Sequence, residues 1–152
     1  MTEEATTSSR GLEMNDQEVD GILTAKGYGT LSLADAGDAY AVPISFGYDG
    51  DRLFMFLIEF GNKSEKIDAA ASTDTACLTT YVVESQYDWA SAIVRGTLKE
   101  VAEDERKYME EVMEDNAWHP SLFPPSEPTT GINRLELVID EATGRKGIDY
   151  QG

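Results

Sequence analysis

The chain has 152 residues, of which 41% are hydrophobic; this suits one domain with one core and excludes a disordered acidic tail. Twenty-nine acids against 12 bases give a formal charge of −17, a field that repels nucleic acid and anionic membrane and so excludes polyanionic partners. No run of 18 apolar residues occurs, and the acidic N-terminus has no apolar stretch, so neither a membrane-spanning helix nor a signal peptide is expected.

A cytoplasmic protein is therefore expected, and the single cysteine agrees with it. Cys77 stands in the apolar run Ala76–Leu78 and reads as a small buried thiol with no cation nearby in sequence to activate it. The charge carries a second expectation. Self-repulsion opposes the compact state at low salt, and a Debye length of about 3 Å at 1 M removes most of that cost. Few lysines and abundant Asp and Glu thus point to a halophilic setting.

Residues 1–13 read as a disordered tail, 14–147 as one domain and 148–152 as a C-terminal tail. Asn15 with Glu18 three residues later marks a helix start, and Val19, Ile22 and Leu23 follow helical spacing until Gly27 and Gly29 end it. Strands are expected at Gly29–Ala34 and Tyr40–Tyr48. Pro43 interrupts the second, which gives that strand an edge or a bulge there. Asp49-Gly50 signals a tight hairpin. Arg52–Ile58, almost wholly apolar, reads as a strand buried on both faces.

After a loop at Glu59–Asn62, Ser64–Ser72 reads as a short helix with Ile67, Ala70 and Ala71 inward. Strands follow at Thr75–Val83 and Trp89–Val101. In the latter, Ala90, Ala92, Val94, Gly96 and Leu98 share one face, and Gly96 marks a bend or a close backbone approach. Glu103–Glu114 is expected to be an acidic helix with Tyr108, Val112 and the methionines inward. Asn116–Gly131 is a proline-rich connection, Ile132–Asp140 a last strand, and Glu141–Gly144 a turn. The pattern is mainly β (α+β): a six-stranded antiparallel barrel with short flanking helices.

Most chemical signatures are missing. There is no P-loop and no GxGxxG, and with one Cys and one His there is no metal-binding cluster. His119 sits in the proline-rich connection, and no serine has a nucleophile elbow around it, so a Ser-His-Asp triad is rejected. The acids of residues 103–115 read as a solvated face. One segment differs. Glu59-Phe60-Gly61-Asn62-Lys63-Ser64-Glu65-Lys66 leaves a buried strand and opens a helix, bringing two ammonium groups, a hydroxyl and free N–H groups together. Such a group of donors can seat a phosphate, and cations at a helix start are otherwise disfavoured.

The order of several short strings resembles the pyridoxamine-5'-phosphate-oxidase-related, FMN-binding split-barrel family over roughly residues 15–140. Gly29-Thr30-Leu31-Ser32 resembles its first strand, and Ala41-Val42-Pro43-Ile44-Ser45-Phe46-Gly47-Tyr48 its second. Leu53–Ile58 with Lys66-Ile67-Asp68-Ala69 resembles the third strand and phosphate segment, and Trp89-Ala90-Ser91-Ala92-Ile93-Val94-Arg95-Gly96 a later strand. With its charge, the chain resembles a haloarchaeal-type member.

The resemblance implies a homodimer that binds FMN in a cleft between subunits. It places the phosphate on Ser64 and Lys66, with Asn62 and Lys63 nearby. Pro43, Ile44, Ser45 and Phe46 would border the ring, Phe56, Leu57 and Ile58 would line the next strand, and Trp89 and Ser91 would reach the partner's cofactor. Apolar walls for the ring and cations for the phosphate suit such a ligand.

The arginine- and histidine-bearing C-terminal motifs of true pyridoxamine-phosphate oxidases are missing; beyond Arg134 only Arg145 and Lys146 carry positive charge. Vitamin B6 oxidation is therefore not implied. The expected function is an FMN-dependent oxidoreductase passing hydride or electrons between a donor and a small organic acceptor. Three alternatives stand beside it: a non-catalytic flavin carrier or sensor, a relative binding haem or deazaflavin, and a cofactor-free structural dimer.

Overall fold

The computed structural model describes residues 11–59, 65–115 and 131–152, with side chains set aside at 58, 59, 65–67 and 131. Its elements are β1 (Leu12–Glu13), α1 (Asp16–Lys26), β2 (Tyr28–Asp35), β3 (Asp38–Tyr48), β4 (Leu53–Glu59), α2 (Glu65–Ser72), β5 (Ala76–Val83), β6 (Trp89–Glu100), a 3₁₀ turn (Glu103–Glu105), α3 (Arg106–Glu114) and β7 (Gly131–Lys146). All strand pairs are antiparallel. The order β7-β4-β3-β2-β5-β6 closes on itself because β6 also pairs with β7, and β1 adds a short seventh strand beside the end of β7. Leu12 and Glu13, read from the sequence as tail, thus belong to the sheet.

The capping box is present as expected. The Asn15 side chain accepts from the Glu18 N–H at 2.8 Å, and Glu18 accepts from the Asn15 N–H at 3.0 Å. Gly27 ends α1 at φ 68°, a conformation glycine adopts without a Cβ clash. The buried residues Val19, Ile22 and Leu23 seat this helix on the barrel core. Leu31, Phe46, Leu53, Met55, Leu57, Leu78, Val94 and Leu137 are among the residues that fill the barrel.

The barrel is split between β3 and β4. Only Phe46, Gly47 and Tyr48 pair with Met55, Phe54 and Leu53. Residues 38–45 pair with β2 and not with β4, while β4 continues along β7 as far as Glu59. Pro43 falls in the stretch of β3 that β4 has left, where its missing N–H costs no ladder bond. The expected edge is the split itself.

β4 is buried on both faces, as its apolar run predicts. Leu53, Met55 and Leu57 enter the barrel, whereas Phe54 turns outward into a second cluster with Val101, Met109, Val112 and Met113. Those residues dock α3 on the outer surface. Gly47 lets the helix approach, since a Cβ there would meet the Val112 carbonyl oxygen at 2.9 Å.

Several expectations are corrected. The last strand does not turn at Glu141–Gly144 but runs to Lys146. Arg95 pairs with Glu141 and Gly96 with Ile139, so Asp140 is an extra residue in a β-bulge. The bulge changes the inward set from Leu135 and Leu137 to Ala142 and Gly144. Gly96 is the expected close approach: any side chain there would drive into the Val138 carbonyl. Cys77 is half-buried rather than buried, because Ala76 and Leu78 take the inward positions, and Arg95 stands opposite it. The acidic helix begins with the 3₁₀ turn, and Tyr108 is 41% exposed while Met109 is buried. In α2, Ala69 is buried and Ala71 exposed. No helix of the described residues is long and apolar enough to cross a membrane.

Candidate functional site

Strand parity defines what faces outward at the split. Gly47 and Phe54 are register partners under α3, and Glu136 is the β7 partner of Phe54. Two residues further along each strand, away from the hairpin, lie Ser45, Phe56 and Arg134. The last two are register partners, and all three share the outer parity. Ser45, Phe56 and Arg134 are half-buried and Pro43 is exposed. The candidate cleft is thus the outward seam where β3 leaves β4. The C-terminal part of α3 bounds it on one side, and the start of α2 follows the end of β4.

The helix that bounds the cleft is held by a charged lattice. The Arg52 guanidinium donates to Glu136 through Nε at 3.2 Å and Nη2 at 2.6 Å, and to Glu105 through Nη1 at 2.9 Å. It also lies 4.9 Å from the Phe54 ring centroid. Hydrogen bonds to Glu136 and Glu105 raise the Arg52 pKa, and the bond from Arg52 lowers that of Glu105. Tyr108 donates its hydroxyl to Asp49. Burial alone would raise the Asp49 pKa, but this bond and those from the Arg52 and Asp51 N–H groups hold it low. Near the same hairpin, Tyr48 donates to Asp20 at 2.5 Å, and burial followed by that bond raises its pKa.

Arg134 is less well satisfied. Its Nη2 reaches Glu110 only at 3.5 Å, its guanidinium lies 5.9 Å from the Phe56 centroid, and its Nε is buried with no hydrogen-bond partner among the described residues. A buried donor left unmade costs about 1–3 kcal/mol, so the residue is not explained by packing alone. Sequence reading used Arg134 only as a landmark. Its register opposite Phe56 was the missing signal, and that depends on long-range pairing of β4 with β7.

A second outward surface lies across the barrel. Tyr81 pairs with Ser91 and Val83 with Trp89, and Ser91 pairs in turn with Arg145. Tyr81 and Val83 are 63% and 65% exposed, while Trp89 and Ser91 are half-buried. The Trp89 ring is wedged between Gly11 and Gly147, where added Cβ atoms would meet it at 2.6 and 2.8 Å. Arg145 donates to the Gly11 carbonyl at 3.0 Å, tying the N-terminal segment to the same surface.

The sequence-predicted residues therefore divide. Pro43 and Ser45 lie on the part of β3 beyond its pairing with β4, and Phe56 lies on β4 opposite Arg134 of β7. Ile44, Phe46 and Leu57, their in-between neighbours, are core residues at 5%, 0% and 1% exposure and offer the cleft only backbone. Ile58 is placed by its backbone opposite Ile132. Asn62, Lys63 and Ser64 lie outside the described residues, as does His119, and Lys66 is placed by its backbone in the first turn of α2. Trp89 and Ser91 occupy the far surface, away from the seam between β3 and β4.

A planar ring with a polar rim fits these residues. Beside the seam lie the half-buried Phe56 and, opposite it, the guanidinium of Arg134. Among the described residues no group of three or more His, Cys, Asp or Glu is arranged to hold a metal ion.

A closed antiparallel barrel split at one seam, with a short helix after the third barrel strand, defines the class. The family model described as pyridoxamine 5'-phosphate oxidase matches residues 15–146; the chain belongs to that family, and its fold is the split barrel. An uncharacterized protein of Rhizobium meliloti is 25% identical over 143 residues, covering 87% of this chain and 92% of the relative. A solved FAD-binding protein of Mesorhizobium loti superposes with a TM-score of 0.68 at 20% identity, covering 89% of this chain and 96% of its own. The FAD and heme binding protein of Mycobacterium smegmatis gives 0.67 at 20%, covering 91% and 74%. A heme binding protein of the same organism gives 0.70 at 14%, covering 88% and 55%. At these identities the solved structures speak for the fold.

Proposed function

We propose that the chain is an FMN-binding oxidoreductase that works as a homodimer in a salt-rich cytoplasm, passing hydride or electrons between a donor and a small organic acceptor. The observation that carries this reading is the seam where β3 parts from β4, with half-buried Phe56 on its β4 side, in a chain of this family. Pro43 and Ser45 border the ring, with Ile44, Phe46 and Leu57 contributing main-chain groups. Phe56 and Ile58 form the wall along β4. Asn62, Lys63, Ser64 and Lys66 supply cations and hydroxyl or amide groups for the phosphate.

The second subunit is argued from the far surface. Tyr81 and Val83 present apolar side chains to solvent beside Trp89 and Ser91, and an isologous contact would cover them. Trp89, wedged by its own chain, is rigid enough to serve as one wall of a neighbour's pocket. The isoalloxazine ring supplies the redox chemistry when bound; the chain's own residues bind it, orient it and exclude water.

A haem reading has its support in the solved relatives, two of which are described as binding heme. Titration with riboflavin 5'-phosphate, FAD and hemin, followed by flavin fluorescence and visible absorbance, separates the readings. Stoichiometric FMN uptake by the dimer, weakened at least tenfold in Lys66→Ala, is the expected result. Preference for FAD or hemin, or FMN affinity indifferent to Lys66→Ala, would overturn it.

A further inference from the structure

We propose that Arg134 makes the cleft selective for a small carboxylate-bearing molecule, the class of acceptor or donor that the bound ring would meet. This rests on the flavin reading for its chemistry but stands on separate geometry. Arg134 stands on β7 directly opposite Phe56 of β4, and its side chain remains 27% exposed. Its one ion pair among the described residues is the 3.5 Å contact to Glu110, itself 52% exposed, and an exposed single contact of that length binds weakly. Arg52, two outward positions back along the same β4–β7 face, shows the contrast, with three hydrogen bonds to two carboxylates.

In a chain of charge −17, a small anion is repelled unless a local cation receives it. Arg134 provides one at the mouth of the cleft, lying by the Phe56 ring. A planar carboxylate can displace Glu110 and bond the guanidinium edge in bidentate fashion, while an attached apolar or aromatic body lies along Phe56. Glu110 then acts as an internal competitor for the same guanidinium, and its neutralisation should tighten binding.

The test is calorimetric titration of benzoate, with benzyl alcohol as the uncharged analogue, into the full-length protein both flavin-free and saturated with FMN. Benzoate is expected to bind and benzyl alcohol not. Arg134→Gln should weaken benzoate at least tenfold, and Glu110→Gln should tighten it a few-fold. Equal binding of the two probes, or benzoate affinity unchanged in Arg134→Gln, would overturn the proposal. If Arg134→Gln does not fold, Glu110→Gln decides, and unchanged affinity there overturns it. FMN uptake is read separately. Benzoate binding that depends on Arg134 without FMN uptake removes only the flavin reading, and FMN uptake with no effect of Arg134 removes only this one.

Discussion

Single residues decide how closely the barrel can be built. Gly96 sits against the Val138 carbonyl at the β-bulge, so Gly96→Ala must displace backbone rather than a flexible side chain. The expected outcome is a large fall in thermal midpoint, or no soluble protein, whereas Gly21→Ala should be tolerated because its Cβ would meet nothing within 4 Å and its backbone is helical. At Arg52 the logic is electrostatic. Glu136 is 7% exposed at its side chain and takes two bonds from that guanidinium. Arg52→Met leaves the buried Glu136 carboxylate with only its 3.7 Å ion pair to half-exposed Lys99 and should cost about 1–3 kcal/mol in denaturant unfolding; Arg52→Met with Glu136→Leu should recover most of it. A double variant no better than the single would contradict the account.

Elements show which signals survive in a sequence and which do not. The capping box of α1 and the apolar run of β4 were legible because they are local. Pro43 was legible as an edge because a missing N–H has few places to go. The length of β7 was not: Ala142-Thr143-Gly144 has the composition of a turn, yet each pairs with β6, and the bulge at Asp140 shifts the parity on which an alternation reading depends. Tyr108 misled for a related reason. Its aromatic bulk suggested the core, but its hydroxyl is spent on Asp49 and its ring stands edge-on to Phe54 at 6.0 Å.

That fastening of α3 predicts a pH response. The Asp49 and Glu105 pKa values are lowered in the folded chain, so their contribution is complete above the ordinary carboxylate range of about 4 and is lost as pH falls through the lowered values. Near-ultraviolet circular dichroism should show the tyrosine signal weakening below about pH 4, and no such change between about pH 6 and pH 8. Loosening on alkalinisation across that neutral window instead would contradict the assignment.

At the scale of the molecule, the sequence disclosed the barrel, because strand order and short strings carry it. It could not separate Ser45 and Phe56, which face the cleft, from Ile44, Phe46 and Leu57, which face the core. That separation needs the register at which β3 leaves β4. Nor could it single out Arg134, whose place comes from a strand some eighty residues further along the chain. The charge of −17 acts on the whole body. Raising potassium chloride from about 0.1 M to molar levels shortens the Debye length from about 10 Å to about 3 Å. The thermal midpoint and the dimer fraction in sedimentation velocity should both rise. Indifference of both to salt would contradict the salt-adapted reading.

The central claim is that two copies of this barrel hold riboflavin 5'-phosphate. It is tested most directly by the visible spectrum of protein freshly purified in molar potassium chloride, with mass analysis of the small molecule released on denaturation. The account predicts a yellow dimer with a flavin band that releases FMN at one molecule per chain. A colourless protein that takes up no added FMN, or a Soret band and released haem, would contradict it.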